Sequence, residues 1–129
     1  MFNSLFYTIP AAMDAAMLRE EVIAHNIANV ETPGYKRKDV VFEDELRKIL
    51  ERNDLKLKVV NEKHFSNFPT SISPKIITQG NTSITNDKNN VDIDYEMNLL
   101  VQNTLRYQVL SRLLSMNIDR YNTALRSVV

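Results

Sequence analysis

Apolar side chains recur every three or four residues over the first thirty positions of the chain, which is the spacing of one face of an α-helix. The same stretch is rich in Ala, Met, Leu and Glu, which are good helix formers. We predict a helix over about residues 9–29, with Thr8 as its cap and Pro10 in its first turn. The helix should end before Pro33-Gly34, because these two residues suit the centre of a type II turn. The apolar positions of this stripe are Ile9, Met13, Ala16, Ile23, Ile27 and Val30.

A longer pattern of the same kind occupies the end of the chain. Apolar residues follow a heptad repeat from Ile93 to Val128, and no Gly or Pro interrupts it. A sustained repeat of 3.5 residues is typical of a coiled coil. Acidic residues at positions 92, 94 and 96 precede or begin the pattern, where negative charge stabilises a helix N-terminus. The predicted stripe consists of Ile93, Met97, Leu100, Thr104, Tyr107, Ser111, Leu114, Ile118, Tyr121, Leu125 and Val128.

A second apolar stripe follows another flank of the C-terminal helix, at Leu105, Val109, Leu113 and Met116. Two stripes need partners on two sides, and a helix of this length, about 54 Å, exceeds the diameter of a compact domain. We therefore expect an elongated hairpin of terminal helices with apolar surface left for other molecules, although a self-contained bundle is the alternative. The predicted helix-packing and subunit-interface residues are Met13, Ile23, Ile27, Met97, Leu100, Tyr107, Leu113, Leu114, Ile118, Tyr121 and Leu125.

The middle of the chain, residues 35–90, has a different character. Residues 42–52 form a short amphipathic pattern with acids first and bases later, which predicts a helix. Residues 55–59 alternate strictly and predict a strand, with which residues 72–78 could pair at an edge because of Pro74. We predict a mainly α fold in which residues 1–34 and 91–129 form one core domain. The insert between them, residues 35–90, should hold a short helix, a possible hairpin and a polar loop.

Composition narrows the possible chemistry. The chain has 129 residues, no Cys, two Gly and 16 basic against 16 acidic side chains. It therefore has no disulfide, thiolate zinc site or glycine-rich nucleotide loop, and its zero net charge argues against nucleic acid as a partner. The two histidines, His25 and His64, belong to no metal-binding or catalytic spacing, so we predict no catalytic, cofactor-binding or metal-binding residues and no small-molecule substrate. The sequence shows neither a cleavable signal peptide nor a membrane-spanning segment.

Charge is distributed unequally between the two predicted helices. Residues 9–30 carry one Arg and three acidic residues, whereas residues 97–129 carry four Arg and one Asp. Opposite net charges favour pairing of the two helices but specify little, because exposed ion pairs are weak.

The segment at the end of the first helix and in the turn after it, N-I-A-N-V-E-T-P-G-Y-K, resembles the signature N-I-A-N-x-x-T-P-G-Y-K of flagellar rod and hook proteins. Residues 90–97, Asn103 and residues 105–107 resemble the proximal-rod subtype of this family, and Asp39 and Phe42 fit it as well. Position 88 departs from the pattern, because relatives often have Gly where this chain has Lys88. The signature residues are Asn26, Ile27, Ala28, Asn29, Thr32, Pro33, Gly34, Tyr35 and Lys36.

The resemblance implies a structural, non-catalytic subunit of the bacterial flagellar basal-body rod. Such a subunit is exported without cleavage by the flagellar type III apparatus, assembles helically in the periplasm and transmits motor torque. The implied partners are other copies of the chain, other rod proteins, the MS-ring/rod junction protein FliE and the export gate. Phe2 and Phe6 resemble a gate-recognition element, although both could equally form a hydrophobic staple. The alternatives are another rod subunit of the family and a cytoplasmic helical adaptor or export chaperone.

Overall fold

A computed structural model of the chain describes residues 2–56, 73–80 and 88–126, and the side chains of residues 2–5 and 50–56 lie outside that description. The structure is mainly helical, with a small two-stranded sheet between the two long helices, as the sequence predicts. In chain order the elements are α1 (Phe2–Ala28), β1 (Lys38–Val41), α2 (Glu43–Lys56), β2 (Lys75–Thr78) and α3 (Ile93–Arg126).

The two terminal helices α1 and α3 pack against each other in antiparallel orientation. The side-chain amide of Asn103 donates to the carbonyl oxygen of Ala16 in the middle of the pair, at 2.8 Å. Near the open end of the hairpin, the rings of Phe6 and Tyr121 meet edge to face with their centroids 4.7 Å apart. Helix α3 has 34 residues, which corresponds to about 51 Å, so the predicted elongated hairpin is confirmed.

Helix α1 is longer than the sequence predicts. It begins at Phe2 rather than near residue 9, so Thr8 and Pro10 lie inside the helix instead of at its start. A proline in a helix interior removes one backbone hydrogen bond and costs about 3 kcal/mol. Packing offsets this cost, because Ile9 is buried and Phe6 contacts α3 on the N-terminal side of the proline. Consequently α1 covers more of α3 than the predicted helix over residues 9–29 would.

The face of α3 that meets α1 is shifted from the predicted apolar stripe. Its two buried residues are Glu96 and Asn103, which are polar and lie one heptad apart. Three positions of the predicted stripe are half-buried beside them, namely Leu100, Tyr107 and Leu114. The remaining apolar residues of that stripe that the structure describes are exposed, whereas the two buried positions of α3 are polar residues hydrogen-bonded to α1. The exposed residues are Ile93, Met97, Ile118, Tyr121 and Leu125.

The small sheet does not have the predicted partners. Strand β2 pairs with β1 in antiparallel register, Lys38 opposite Thr78 and Val41 opposite Lys75. The strand predicted over residues 55–59 is wrong at Leu55 and Lys56, because these residues extend α2, and residues 57–59 lie outside the described part of the chain. Strand β1 packs on α1, and Val40 and the following Phe42 are buried.

The turn after α1 has the predicted geometry. The backbone N–H of Tyr35 donates to the carbonyl oxygen of Thr32 at 3.2 Å, which closes a four-residue turn. Gly34 has a φ of 71° at the third position, where a type II turn requires a positive value.

Within the described ranges, no helix is long and apolar enough to cross a membrane.

Candidate functional site

A cluster of buried polar side chains joins the end of α1, the strand β1 and the first turn of α3. We call Asn26, Tyr35, Arg37 and Glu96 the polar node. The side chains of Asn26 and Glu96 are fully buried, and Arg37 is 5% exposed. Buried polar groups are costly unless they are paired, so the partners of each group decide whether the node holds the fold together.

Asn26 is the hub of the node. Its side-chain nitrogen donates to the carbonyl oxygen of Lys38 at 2.8 Å and to Glu96 Oε2 at 3.2 Å. Its side-chain oxygen accepts the backbone N–H of Lys38 at 3.0 Å and the hydroxyl of Tyr35 at 3.2 Å. The amide thus pairs with both backbone groups of Lys38, as a neighbouring strand would, and attaches β1 to α1.

Arg37 and Glu96 form a buried ion pair in which Arg37 Nε donates to Glu96 Oε1. The guanidinium also donates to Asp39 Oδ2 at 3.1 Å and lies 5.0 Å from the centre of the Tyr95 ring. Burial acts to lower the pKa of Arg37, but the hydrogen bonds and charges of Glu96 and Asp39 outweigh it, so the pKa is raised. The ion pair connects the first turn of α3 to Arg37, the residue that directly precedes β1.

Tyr35 completes the node from the signature turn. Burial and the nearby negative charge of Glu96 both raise the pKa of the Tyr35 phenol. The phenol is therefore held in its protonated form, in which it donates to Asn26.

Two consecutive asparagines before α3 hold the backbone around the node. The side-chain nitrogen of Asn89 donates to the carbonyl oxygens of Asn29, Val30 and Thr32 at 3.0, 2.8 and 2.9 Å. These carbonyls follow the end of α1, where a helix leaves acceptors unpaired.

Asn90 connects the two strands to the start of α3. It accepts the backbone N–H of Arg37 at 2.6 Å and donates to the carbonyl oxygen of Gln79 at 3.0 Å.

Lys88 adopts a left-handed backbone conformation, with a φ of 66°. This conformation favours glycine. Lys36 Nζ donates to the Lys88 carbonyl oxygen at 2.7 Å, so the strained residue lies directly beside the signature turn.

A second group of polar side chains lies along the hairpin. We call Arg19, Glu43 and Arg106 the charged cluster. Both oxygens of Glu43 accept hydrogen bonds from Arg19 Nη2, at 3.0 and 2.8 Å, and Oε1 also accepts one from Arg106 at 2.6 Å. Burial acts to raise the pKa of Glu43, but its own backbone N–H and the two arginines outweigh it, so the pKa is lowered. This carboxylate links the start of α2 to both long helices.

The charged cluster forms one side of a cleft of about 300 Å³, which Asp39, Tyr95, Leu99, Gln102 and Asn103 also line. Asn103 Oδ1 is the one buried side-chain polar atom of the described residues that has no hydrogen-bond partner. The charged side chains that line the cleft are engaged in ion pairs: Arg19 and Arg106 with Glu43, and Asp39 with Arg37.

The apolar side of the site is an exposed ridge on α3. We call Val101, Leu105, Val109, Leu113 and Met116 the outer ridge. All five side chains are between 43% and 59% exposed. They follow one another at spacings of three or four residues and face away from α1, so a single copy of the chain leaves them in water.

The structure divides the residues that the sequence singled out. Of the signature, Asn26 and Tyr35 enter the polar node, Pro33 and Gly34 form the turn, and Lys36 and Asn29 bond the backbone nearby. Ile23 is buried and Met13 and Ile27 are half-buried on α1, whereas Met97, Leu113, Ile118, Tyr121 and Leu125 are exposed on α3.

Phe6 packs on Tyr121, whereas the side chain of Phe2 lies outside the described residues. Of the two histidines, His25 is on the exposed face of α1 and His64 lies outside the described part of the chain.

Sequence reasoning missed the central role of Arg37, Glu96 and Asn89. The sequence pattern assigned no role to Arg37 or Asn89, and it indicated Glu96 only as an acidic residue at the start of a helix. Only Asp92 behaves as a cap, since its side chain accepts the backbone N–H groups of Asp94 and Tyr95 at 3.0 and 3.2 Å. The signal that could have indicated the buried pair is the position of Glu96, one turn beyond the cap and one heptad from Asn103.

Within the described residues, no three His, Asp or Glu side chains are grouped so that they could hold a metal ion.

Two residues of the polar node, Asn26 and Tyr35, lie in a segment that matches a known protein family. The family model described as "Flagella basal body rod protein" matches residues 6–36. The chain is 35% identical to the flagellar basal body rod protein FlgB of Borreliella burgdorferi over 121 residues, which cover 88% of this chain and 90% of the relative. The chain belongs to the FlgB family of flagellar basal body rod proteins.

Other relatives of the FlgB family match over similar lengths. The chain is 31% identical to FlgB of Bacillus subtilis over 127 residues, 97% of this chain and 95% of the relative. It is also 31% identical to FlgB of Escherichia coli over 124 residues, 90% of this chain and 88% of the relative. As a member of the FlgB family, the chain is a structural subunit of the proximal rod in the flagellar basal body.

Proposed function

We propose that this rod protein assembles helically with further copies of itself through the exposed faces of its terminal helices, and that the rod transmits motor torque through the periplasm. The observation that carries the proposal is the outer ridge, an apolar face that a single copy leaves in water. A continuous row of exposed apolar side chains on one helix face is typical of an interaction surface. Contacts between two different patches generate an open helical filament when the rotation between neighbouring copies does not close a ring.

The interface residues fall into two groups under this proposal. The half-buried residues Leu100, Tyr107 and Leu114 hold α3 against α1 within one copy. The exposed residues Met97, Leu113, Ile118 and Leu125 contact neighbouring subunits. The stiffness of the rod then follows from burying both faces of a long helix, since a packed helix cannot bend without losing contacts.

Other rod proteins, the MS-ring/rod junction protein FliE and the export gate are further proposed partners. Export proceeds without cleavage, and Phe2 with Phe6 forms the element that the gate recognises. Because the ring of Phe6 packs against Tyr121 in the hairpin, the gate would bind the N-terminal segment before the hairpin forms. We propose no catalytic activity for the chain.

The deciding experiment is to purify detergent-resistant basal bodies and ask whether the chain is present in the rod. The variant Leu105→Asp, in the outer ridge, should prevent rod assembly and motility while the protein is still exported. The control Arg47→Asp changes a 71% exposed side chain on α2 and should assemble normally. Recovery of the wild-type chain from the cytosol alone would contradict the proposal.

A further inference from the structure

The exposed side of α1 is a second candidate surface, and it differs from the outer ridge in charge. We call Asp14, Met17, Glu21, Ala24 and Ala28 the α1 outer face. Their spacings of three and four residues place all five on one side of the helix, and all five are exposed. The face carries two acids and two small residues around Met17, whose side chain is 58% exposed.

The outer ridge of α3 carries a net positive charge, because Arg112 and Arg120 outnumber Asp119 on this face. Arg112 lies three residues after Val109 and four before Met116, and Arg120 lies four residues after Met116. Both arginines are therefore on the face of the ridge, and both are exposed. Two ridges pairing with each other would bring like charges together, and so would two α1 outer faces, which disfavours both symmetric contacts.

We propose that the α1 outer face of one copy packs on the outer ridge of the next copy, in an antiparallel register with Asp14 opposite Arg120 and Glu21 opposite Arg112. The inference rests on the proposed self-assembly of this rod protein and names the surfaces that perform it. Two turns of helix separate the acids and about two turns separate the arginines, which correspond to about 10 and 12 Å. The charges can therefore pair simultaneously.

The same register also matches the apolar residues. It places Met17 opposite Met116, Ala24 opposite Val109 and Ala28 opposite Leu105. Each alanine therefore meets a larger side chain of the ridge, the arrangement that lets two helices approach closely and interdigitate.

The antiparallel orientation follows from the hairpin. Copies related by a screw operation keep the same polarity, so α1 of one copy is antiparallel to α3 of the next, as it is within one copy. Inside the hairpin Ala16 lies beside Asn103. Placing Asp14 opposite Arg120 therefore displaces the neighbour by roughly 22 Å along the helix axes. The contact joins two different surfaces, and the axial displacement between copies lets it propagate as an open helix instead of closing into a ring.

Cysteine cross-linking tests this register directly, because the natural chain contains no cysteine. The variant Ala24→Cys/Val109→Cys, oxidised in cells and recovered in purified basal bodies, should give a ladder of covalent multimers. Each single variant should give none, since one cysteine per copy would have no partner. The control Ala24→Cys/Val101→Cys places the second cysteine two turns away on the same ridge, roughly 12 Å out of register, and should give no ladder.

Charge exchange provides a second test that does not depend on disulfide geometry. Glu21→Arg and Arg112→Glu should each reduce incorporation of the chain into basal bodies at least about tenfold, because like charges meet across the contact. The double variant Glu21→Arg/Arg112→Glu should restore incorporation. Circular dichroism of the purified variants checks that the helices still form.

The outcomes separate this inference from the proposed function. A covalent dimer of Val109→Cys alone would show a symmetric contact and overturn the pairing. Basal bodies that contain the double-cysteine chain but yield no ladder would also overturn it, while leaving the chain as a rod subunit. Absence of the chain from basal bodies would instead contradict the proposed function.

Discussion

The side-chain amide of Asn26 donates a hydrogen bond of 3.2 Å to Glu96, although the two residues are 70 positions apart in the chain. Asn26 closes the last turns of α1, and Glu96 lies in the first turn of α3. Their contact, together with the bonds from Asn26 to both backbone groups of Lys38, determines where the two long helices and β1 meet. Asn26, which belongs to the family signature, therefore fixes how α1, β1 and α3 are arranged at the closed end of the hairpin.

Replacing the hub of the polar node should destabilise the hairpin strongly. Asn26→Ala leaves buried groups of Lys38 and Glu96 without a partner, so we expect the free energy of unfolding to fall by about 3 kcal/mol. Urea denaturation followed by circular dichroism measures this change. The matched control Asn98→Ala removes an exposed amide that bonds only a carbonyl of its own helix and should change stability by less than about 0.5 kcal/mol.

The buried ion pair should behave as a coupled unit. Arg37→Met leaves the Glu96 carboxylate buried without its counter-charge and should cost about 3–5 kcal/mol, whereas Arg37→Met/Glu96→Leu should recover most of that loss. A double-mutant cycle in urea measures the coupling. The same substitution at Arg47, whose ion pair with Asp44 is largely exposed, should cost less than about 1 kcal/mol. Additive losses at positions 37 and 96 would show that the pair is not coupled.

The left-handed residue before α3 offers a stabilising change. Lys88→Gly should raise the free energy of unfolding by about 0.5–1 kcal/mol, since glycine adopts a positive φ without steric cost, although it gains entropy in the unfolded chain. Lys88→Val should lower it by about 1 kcal/mol, because a branched side chain disfavours this conformation. Thermal unfolding of the three proteins should rank them Gly, Lys, Val, and any other order would show that the φ of 66° is not maintained in solution.

Alkaline pH should weaken the polar node through Tyr35. The pKa of Tyr35 is raised in the folded state, so the unfolded chain loses this proton first, at a pH of about 10. The contribution of Tyr35 is fully present below that pH and is lost as the pH rises through the folded pKa. The difference in unfolding free energy between wild type and Tyr35→Phe should be constant from pH 7 to about 9 and then shrink or reverse. A difference that stays constant up to pH 11 would contradict the raised pKa.

Two positions of the predicted stripe should separate folding from assembly. Ile118 is 44% exposed, so Ile118→Asp should leave the hairpin folded within about 1 kcal/mol but prevent rod assembly while export continues. Leu114 is half-buried, so Leu114→Asp should also destabilise the hairpin by about 2 kcal/mol or more. Basal-body preparations, culture supernatants and urea denaturation distinguish the three effects. A motile filament built by the Ile118→Asp strain would contradict the role of this surface.

Several features of the fold follow from the sequence alone. The length and spacing of the apolar stripes predict two long helices and an elongated hairpin, because helical periodicity is a local property. Pro33-Gly34 predicts the turn, since only a residue like glycine enters positive φ freely. The second stripe predicts the exposed ridge, because one partner helix covers only one face. The eleven-residue signature is specific enough to indicate the family, which the comparisons confirm.

Tertiary structure decided the rest. Local signals at Thr8 and Pro10 indicate a helix start, yet packing of Phe6 on Tyr121 extends α1 beyond them. Residues 55 and 56 belong to the alternating pattern that predicts a strand over residues 55–59, but in the structure they continue α2. Strand β2 pairs with β1 instead. The rotation of α3 depends on Glu96 and Asn103, whose partners on α1 are far away in the chain. Periodicity determines that a helix has two apolar stripes, but only the buried hydrogen bonds determine which of them faces α1, because a polar group can be buried only where its partner lies.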